Sequence, residues 1–201
     1  MIAVIDYGAG NIQSVIKAMN YIGSECVVTN SKEKIISCDG AILPGVGSFE
    51  DAMNCMKESG SDEAVIEFTR TGKPFLGICL GLQLLFESSE ESPGVEGLGI
   101  LDGHILRIPD GEGRKVPQIG WNDLRFPNPG RLFEGIPEGA FVYFVHSYYL
   151  RAQDPSIVTG TAQYGVKIDA SVESGNVFAC QFHPEKSESV GMKILGNFLA
   201  I

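Results

Sequence analysis

The sequence predicts a three-layer α/β/α fold around a mostly parallel central sheet, with antiparallel additions in the C-terminal half. Three observations carry this expectation. Short, almost wholly apolar runs alternate with helix-period segments through the first half, as strands covered by helices on both faces require. After Glu87 several strand-like stretches follow one another without helices between them, which favours antiparallel neighbours. The chain has 201 residues, enough to bury a core without disulfide or metal staples, and no low-complexity linker divides it, so one domain spanning 1–201 is expected.

Taken in order, residues 2–5 are the first buried strand. Gly8-Ala9-Gly10 follows, then Ile12, Val15, Ile16 and Met19 at helical spacing, with Gly23 as the C-terminal stop signal. Residues 26–29 and 41–43 are two more strands, the latter stopped by Pro44-Gly45. Phe49, Met53 and Met56 mark a helix, and Ala64, Val65 and Phe68 a further one with Ser61 as its N-cap. Residues 75–78 are the next strand and 80–86 the next helix. A polar loop bearing Gly and Pro covers 88–99. Strand-like stretches then run over 100–108, 141–150, 166–172 and 177–182, divided by turn-rich segments. Val190, Ile194, Leu195, Phe198 and Leu199 place a last helix at the C-terminus.

A formal net charge of −10 argues against wrapping nucleic acid or docking on an anionic membrane, since both need surplus Lys and Arg. No apolar run reaches the ~18 residues that span a bilayer. The start carries no basic segment before its apolar stretch, so no signal peptide is expected. The five cysteines are odd in number and irregularly spaced, which fits reduced thiols and a cytoplasmic protein.

The chemistry concentrates in three segments. Gly77-Ile78-Cys79-Leu80-Gly81 lies between an expected strand and an expected helix, the arrangement of a nucleophile elbow with cysteine in place of serine. Small flanking residues allow the sharp turn, and the helix N-terminus favours a thiolate. A core cysteine beside two packing glycines is the competing reading. A thiolate needs a base, and of three histidines His183 stands best placed, in Gln181-Phe182-His183-Pro184-Glu185 after an apolar run. In extended chain Gln181 and His183 share one face, while Cys180 and Phe182 share the other. Glu185, across the stiff Pro184, is positioned to orient the imidazole. Pro44-Gly45-Val46-Gly47-Ser48-Phe49 also follows a strand, and its glycines let backbone N–H groups face a site. Val46 and Leu80 are the candidate oxyanion donors, each worth ~3–4 kcal/mol of transition-state stabilisation in comparable sites.

With these segments in view, the sequence resembles the class I (triad) glutamine amidotransferases, and among them glutaminases that serve a separate cyclase in histidine biosynthesis. The resemblance rests on Asp6 to Asn11, Pro44 to Phe49, Gly77 to Phe86, Gly120-Trp121-Asn122, Tyr143 to Tyr149 and Gln181 to Ser187, in family order. It implies Cys79 as nucleophile, His183 as general base and acid, and Glu185 as orienting carboxylate, hydrolysing L-glutamine through a thioester. It further implies substrate contacts at Gly45, Gly47 and Gln83, and a partner surface including Asn11, Trp121, Tyr143 and Lys186. The implied partner is a (β/α)₈-barrel cyclase subunit that receives ammonia and forms imidazole glycerol phosphate. The length, taken up by one domain, likewise expects the acceptor site on another chain. No cofactor and no metal are expected.

Duller readings cover the remainder. Cys26, Cys38, Cys55 and Cys180 read as core or surface thiols, His146 as packed or interfacial, and His104 as a strand residue. Glu87, Glu90 and Glu91 read as a solvated loop. Three rivals stay open. One is a non-catalytic nucleotide-binding domain, suggested by Gly8-Ala9-Gly10 although Gln13 occupies the position where that fingerprint needs Gly or Ala. The second is a cysteine hydrolase of another kind, or the glutaminase half of a different biosynthetic enzyme, on the same fold. The third is a catalytically silent subunit that serves only as a binding module.

Overall fold

The computed structural model describes residues 1–201. Its first half is a repeated strand–helix weave: β1 (Ile2–Ile5), α1 (Ile12–Tyr21), β2 (Cys26–Thr29), α2 (Lys32–Ser37), β3 (Gly40–Gly45), α3 (Phe49–Ser59), α4 (Ser61–Arg70), β4 (Phe75–Cys79) and the short α5 (Leu80–Gln83). The second half carries β5 (Ser88–Ser89), β6 (Gly103–Arg107), β7 (Gln118–Asp123), β8 (Phe141–His146), β9 (Tyr148–Ala152), β10 (Val158–Tyr164), β11 (Val166–Ser174) and β12 (Val177–Cys180), and ends in α6 (Glu188–Leu199). The main sheet runs β2-β1-β3-β4-β12-β11-β9-β6-β5, with β10 on β11, and a separate two-stranded sheet joins β7 to β8. From β2 to β12 all neighbours are parallel, whereas β11, β9 and β6 pair antiparallel. The predicted architecture is therefore observed.

Alternation along the strands divides the core between the two sheet faces. Ala3, Ile5, Ala41 and Leu43 join Ile35, Phe49, Met53 and Phe68 of α2, α3 and α4. Ile2, Val4, Ile42 and Leu76 join Val15 and Met19 of α1 and Ile194 and Phe198 of α6. Placing β12 beside β4, with Cys180 opposite Ile78, brings two distant segments together at the C-terminal ends of parallel strands. Open α/β sheets present their ligand sites there.

Several local expectations are corrected. Ser61 is not an N-cap: Gly60, at φ +69°, ends α3 and starts α4, and the buried Ser61 hydroxyl instead accepts from Ser59. The helix expected over 80–86 stops at Gln83, because the carbonyls of Leu84, Leu85 and Phe86 accept from Leu98, Ile100, Leu101 and Gly99 rather than continuing helically. The stretch 141–150 is two strands, not one. Its halves pair with different partners, β8 with β7 and β9 with β6, and the Ser147 carbonyl between them accepts from Ile108. Helix α2 was not expected, since Ile35 is its only buried residue, nor were β7 and β10, whose polar and glycine residues break the apolar alternation. No helix is long and apolar enough to cross a membrane.

Candidate active site

Cys79 is the last residue of β4 and the N-cap of α5, with φ 57° and ψ −110°. A non-glycine residue is held in this region only when its surroundings dictate it, at a cost of order 1–3 kcal/mol. The flanking glycines show what dictates it. A Cβ on Gly81 would stand 1.9 Å from the Leu43 carbonyl oxygen, and one on Gly77 2.7 Å from the Gly81 oxygen. Only bare backbone lets the elbow close against β3.

The thiol of Cys79, almost fully enclosed, lies 3.8 Å from the Val145 carbonyl and receives a Gln181 N–H, also at 3.8 Å. His183 approaches from the end of β12. Its backbone N–H donates to the Tyr143 carbonyl at 2.9 Å, and its Nδ1 lies 2.8 Å from Oε1 of Glu185. Both side chains are buried, and Oε2 of Glu185 has no protein partner. Burial pulls the His183 pKa down, but hydrogen bonds to Cys79 and Glu185, reinforced by their charges, override it and hold the ring at about 9. Cys79 and His183, far apart in sequence, thus line one cleft, with the Glu185 carboxylate bonded to the imidazole.

A cleft of about 310 Å³ opens on this group, at the small end for ligand pockets and suited to an amino-acid-sized molecule. Cys79, Leu80, Gln83 and His183 line it together with Val46 and Gly47. Gly45 stands one step behind, as the last residue of β3 paired with Cys79. Gln83 is oriented by its neighbours: its amide nitrogen donates to the Tyr148 carbonyl at 3.1 Å and to Oε1 of Gln181 at 3.0 Å.

Two further wall residues had no site role in the sequence reading. Glu91 is not a free loop carboxylate. It lines the cleft, and its Oε2 accepts the Phe49 N–H at the start of α3 at 2.9 Å. Nothing in the polar run 87–91 singles it out. His146 is buried as expected but also lines the cleft, and burial drives its pKa to about 4, with the Tyr148 carbonyl opposing and the His183 charge adding. The neutral ring donates Nδ1–H to that carbonyl at 2.8 Å, so its Nε2 accepts, and the Gln118 amide 3.0 Å away must present its NH₂ end.

Beside the cleft the β7–β8 sheet exposes three large apolar side chains, Ile119, Trp121 and Phe141, on one face. Trp121 meets Tyr143 edge to face at 5.9 Å, and Lys186 stands 6.0 Å over the same Tyr143 ring. Asn11 is the N-cap of α1, which packs on the turn 184–186. Three of the four expected surface residues therefore form one cluster, with Asn11 on an adjoining element.

Residues 3–201 match the family described as glutamine amidotransferase class-I. The chain is 50% identical over 197 residues to the imidazole glycerol phosphate synthase subunit HisH of Moorella thermoacetica, covering 98% of this chain and 93% of that one. It is also 50% identical to the subunit of that name from Bacillus cereus strain G9842, covering 100% and 95%. Among solved structures, PurLQS from Thermotoga maritima superposes with a TM-score of 0.76 at 23% identity, over 99% of this chain and 97% of that one. The glutaminase domain of Trypanosoma brucei CTPS superposes with a TM-score of 0.69 at 14% identity, over 99% and 93%. At these identities the superpositions speak for the fold.

Proposed function

Because the chain belongs to the class-I glutamine amidotransferases, we propose that it is the glutaminase subunit of an imidazole glycerol phosphate synthase, with Cys79, His183 and Glu185 as its triad. The observation that supports this reading is that Cys79 and His183 line one cleft of amino-acid size, with Nδ1 of His183 2.8 Å from the Glu185 carboxylate.

In this reading Sγ of Cys79 adds to the side-chain amide carbon of L-glutamine. The carbonyl oxygen becomes an oxyanion, met by the backbone N–H groups of Leu80 and Val46. His183 gives a proton to the departing nitrogen, the C–N bond breaks, and ammonia leaves a γ-glutamyl thioester on sulfur. His183 then takes a proton from water as it attacks the thioester, and glutamate departs as Cys79 is restored. Glu185 keeps the ring in one orientation and compensates its charge. Gly45, Gly47 and Gln83 shape the amide end of the site. Glu91, the carboxylate on the cleft wall, suits the substrate α-ammonium group.

Ammonia set free in water is protonated and loses its nucleophilicity, so the acceptor site must be close. The name of the close relatives and the apolar Ile119, Trp121 and Phe141 surface support a cyclase partner, for which the family resemblance implies a (β/α)₈-barrel form. That partner would use the ammonia to make imidazole glycerol phosphate and aminoimidazole carboxamide ribotide. Incubation with a glutamine-like chloroketone, followed by peptide mass analysis, tests the site. Covalent mass on the Cys79 peptide and loss of glutamine hydrolysis are expected. An unlabelled Cys79 in a protein that still hydrolyses glutamine would overturn the assignment. Co-purification with the cyclase, assaying glutamate release with and without its nucleotide ligand, tests the partnership.

A further inference from the structure

We propose that Gln181 is a further catalytic residue, whose side-chain N–H donates to the Cys79 sulfur and stabilises the thiolate that attacks the substrate. The catalytic role rests on the glutaminase reading, whereas the contact itself stands on geometry. Gln181 is fully buried, and its backbone N–H is tied to the Ala170 carbonyl at 2.8 Å. Its Nε2 lies 3.8 Å from Sγ.

Which end of an amide faces a neighbour is often ambiguous, but here the partners decide it. The Tyr148 carbonyl can only accept, so the group facing it must be the Gln83 NH₂, at 3.1 Å. The second hydrogen of that NH₂ meets Gln181 at 3.0 Å, and the atom receiving it must be the Gln181 oxygen. The Gln181 NH₂ is therefore left facing the sulfur.

The sulfur consequently sits among groups of opposite preference. The Val145 carbonyl, at 3.8 Å, suits a neutral S–H, whereas Gln181 and protonated His183 suit S⁻. His183 can lose its proton during the reaction. Gln181 cannot, so it supplies a fixed dipole through both halves of the cycle. Strand alternation places both donors on one face, while Cys180 and Phe182 point into the core behind them. Tyr7 and Cys180 are further titratable groups near the sulfur, with Glu185 behind His183 and Glu91, Tyr148, Lys186 and neutral His146 on the cleft wall. All of them stay in place in the variants below.

The test is the pH dependence of Cys79 alkylation by iodoacetamide, followed on the Cys79 peptide by mass spectrometry and run beside glutamine hydrolysis. Gln181→Met keeps the shape and removes the donor. It is expected to raise the alkylation midpoint and to slow alkylation at neutral pH by roughly ten- to a hundredfold, the usual worth of a hydrogen bond to a charged group. Gln181→Asn, which withdraws the amide but stays polar, gives the same readout where the Met variant fails to fold. Gln83→Met, which removes the anchor without touching the sulfur, is expected to shift the midpoint the same way by less. A midpoint unmoved in a folded Gln181 variant would overturn the proposal. Alkylation does not involve glutamine, so a shifted midpoint in a protein that never hydrolyses glutamine would sink the glutaminase reading and leave the contact intact.

Discussion

Nδ1 of His183 and Oε1 of Glu185 lie 2.8 Å apart across a single proline, with both side chains almost completely enclosed. Pro184 opens a short 3₁₀ turn over Pro184–Lys186, and its fixed φ keeps the carboxylate under the ring. Glu185→Gln removes the charge that helps raise His183 to about 9. Turnover is expected to fall by a hundred- to ten-thousand-fold with little change in KM, on the order seen when the orienting carboxylate of a triad is lost. Because the folded-state pKa of His183 is raised, the protonated ring contributes stability fully below about 6.5, and this is lost as pH rises through about 9. The alkaline limb of kcat/KM should follow and move to lower pH in the variant. A turnover number and limb matching the parent would reduce Glu185 to a structural part.

The backbone at Cys79 sets a second expectation. At φ 57° and ψ −110° any side chain is strained, and glycine is not. Cys79→Gly and Cys79→Ala should both lose glutamine hydrolysis. The glycine variant should unfold at the higher temperature, by about 1–2 kcal/mol of stability. Differential scanning calorimetry of the two side by side decides this, and an alanine variant equal to or above glycine would remove the strain.

Gly81→Ala should be far more costly, because its Cβ would fall 1.9 Å from a backbone oxygen of β3. Neither backbone can yield without opening the β3–β4 pairing. A loss above about 3 kcal/mol, or roughly 6–12 °C in Tm, is expected for a chain of this size. Thermal denaturation showing less than a few degrees would mean the elbow has room to spare.

Trp121→Ala should weaken association with the cyclase by about thirtyfold or more, the behaviour of an aromatic anchor in an apolar patch. Stability of the isolated chain should barely change, since Trp121 is half exposed. Val28, exposed on the edge strand β2, is the control position, and Val28→Ser should leave association untouched. Titration calorimetry with equal affinities for all three proteins would place the interface elsewhere.

His146 makes the protein acid-sensitive in its own window. Its folded pKa, about 4, lies below the usual 6.5 because the ring is buried neutral. Its contribution is therefore complete above about 6.5 and is lost as pH falls through about 4, by roughly 3 kcal/mol. In His146→Gln the dependence of Tm on pH between those values should flatten. An equally steep curve would assign the acid sensitivity to other groups.

Apart from α2, the strand–helix alternation of residues 2–79 was readable because each of the other elements carries its own period, and the glycines at 77 and 81 mark a turn that no larger residue survives. The motif around His183 was readable for a similar reason, since two-residue alternation puts Gln181 and His183 on one side of any extended chain. Local pattern suffices wherever the cause is local. The helix ending at Gln83 and the strand broken at Ser147 were not legible, because backbone groups from remote segments compete there for the same hydrogen bonds. The same holds for Glu91, for the amide chain from Tyr148 through Gln83 to Gln181, and for the meeting of the Cys79 sulfur with its imidazole. Glu91 depends on its segment lying along β6 and reaching the start of α3, and the other two on β12 lying against β4 with β9 nearby. That neighbourhood comes from burying two sheet faces at once, a property of the whole chain that no short window of residues contains.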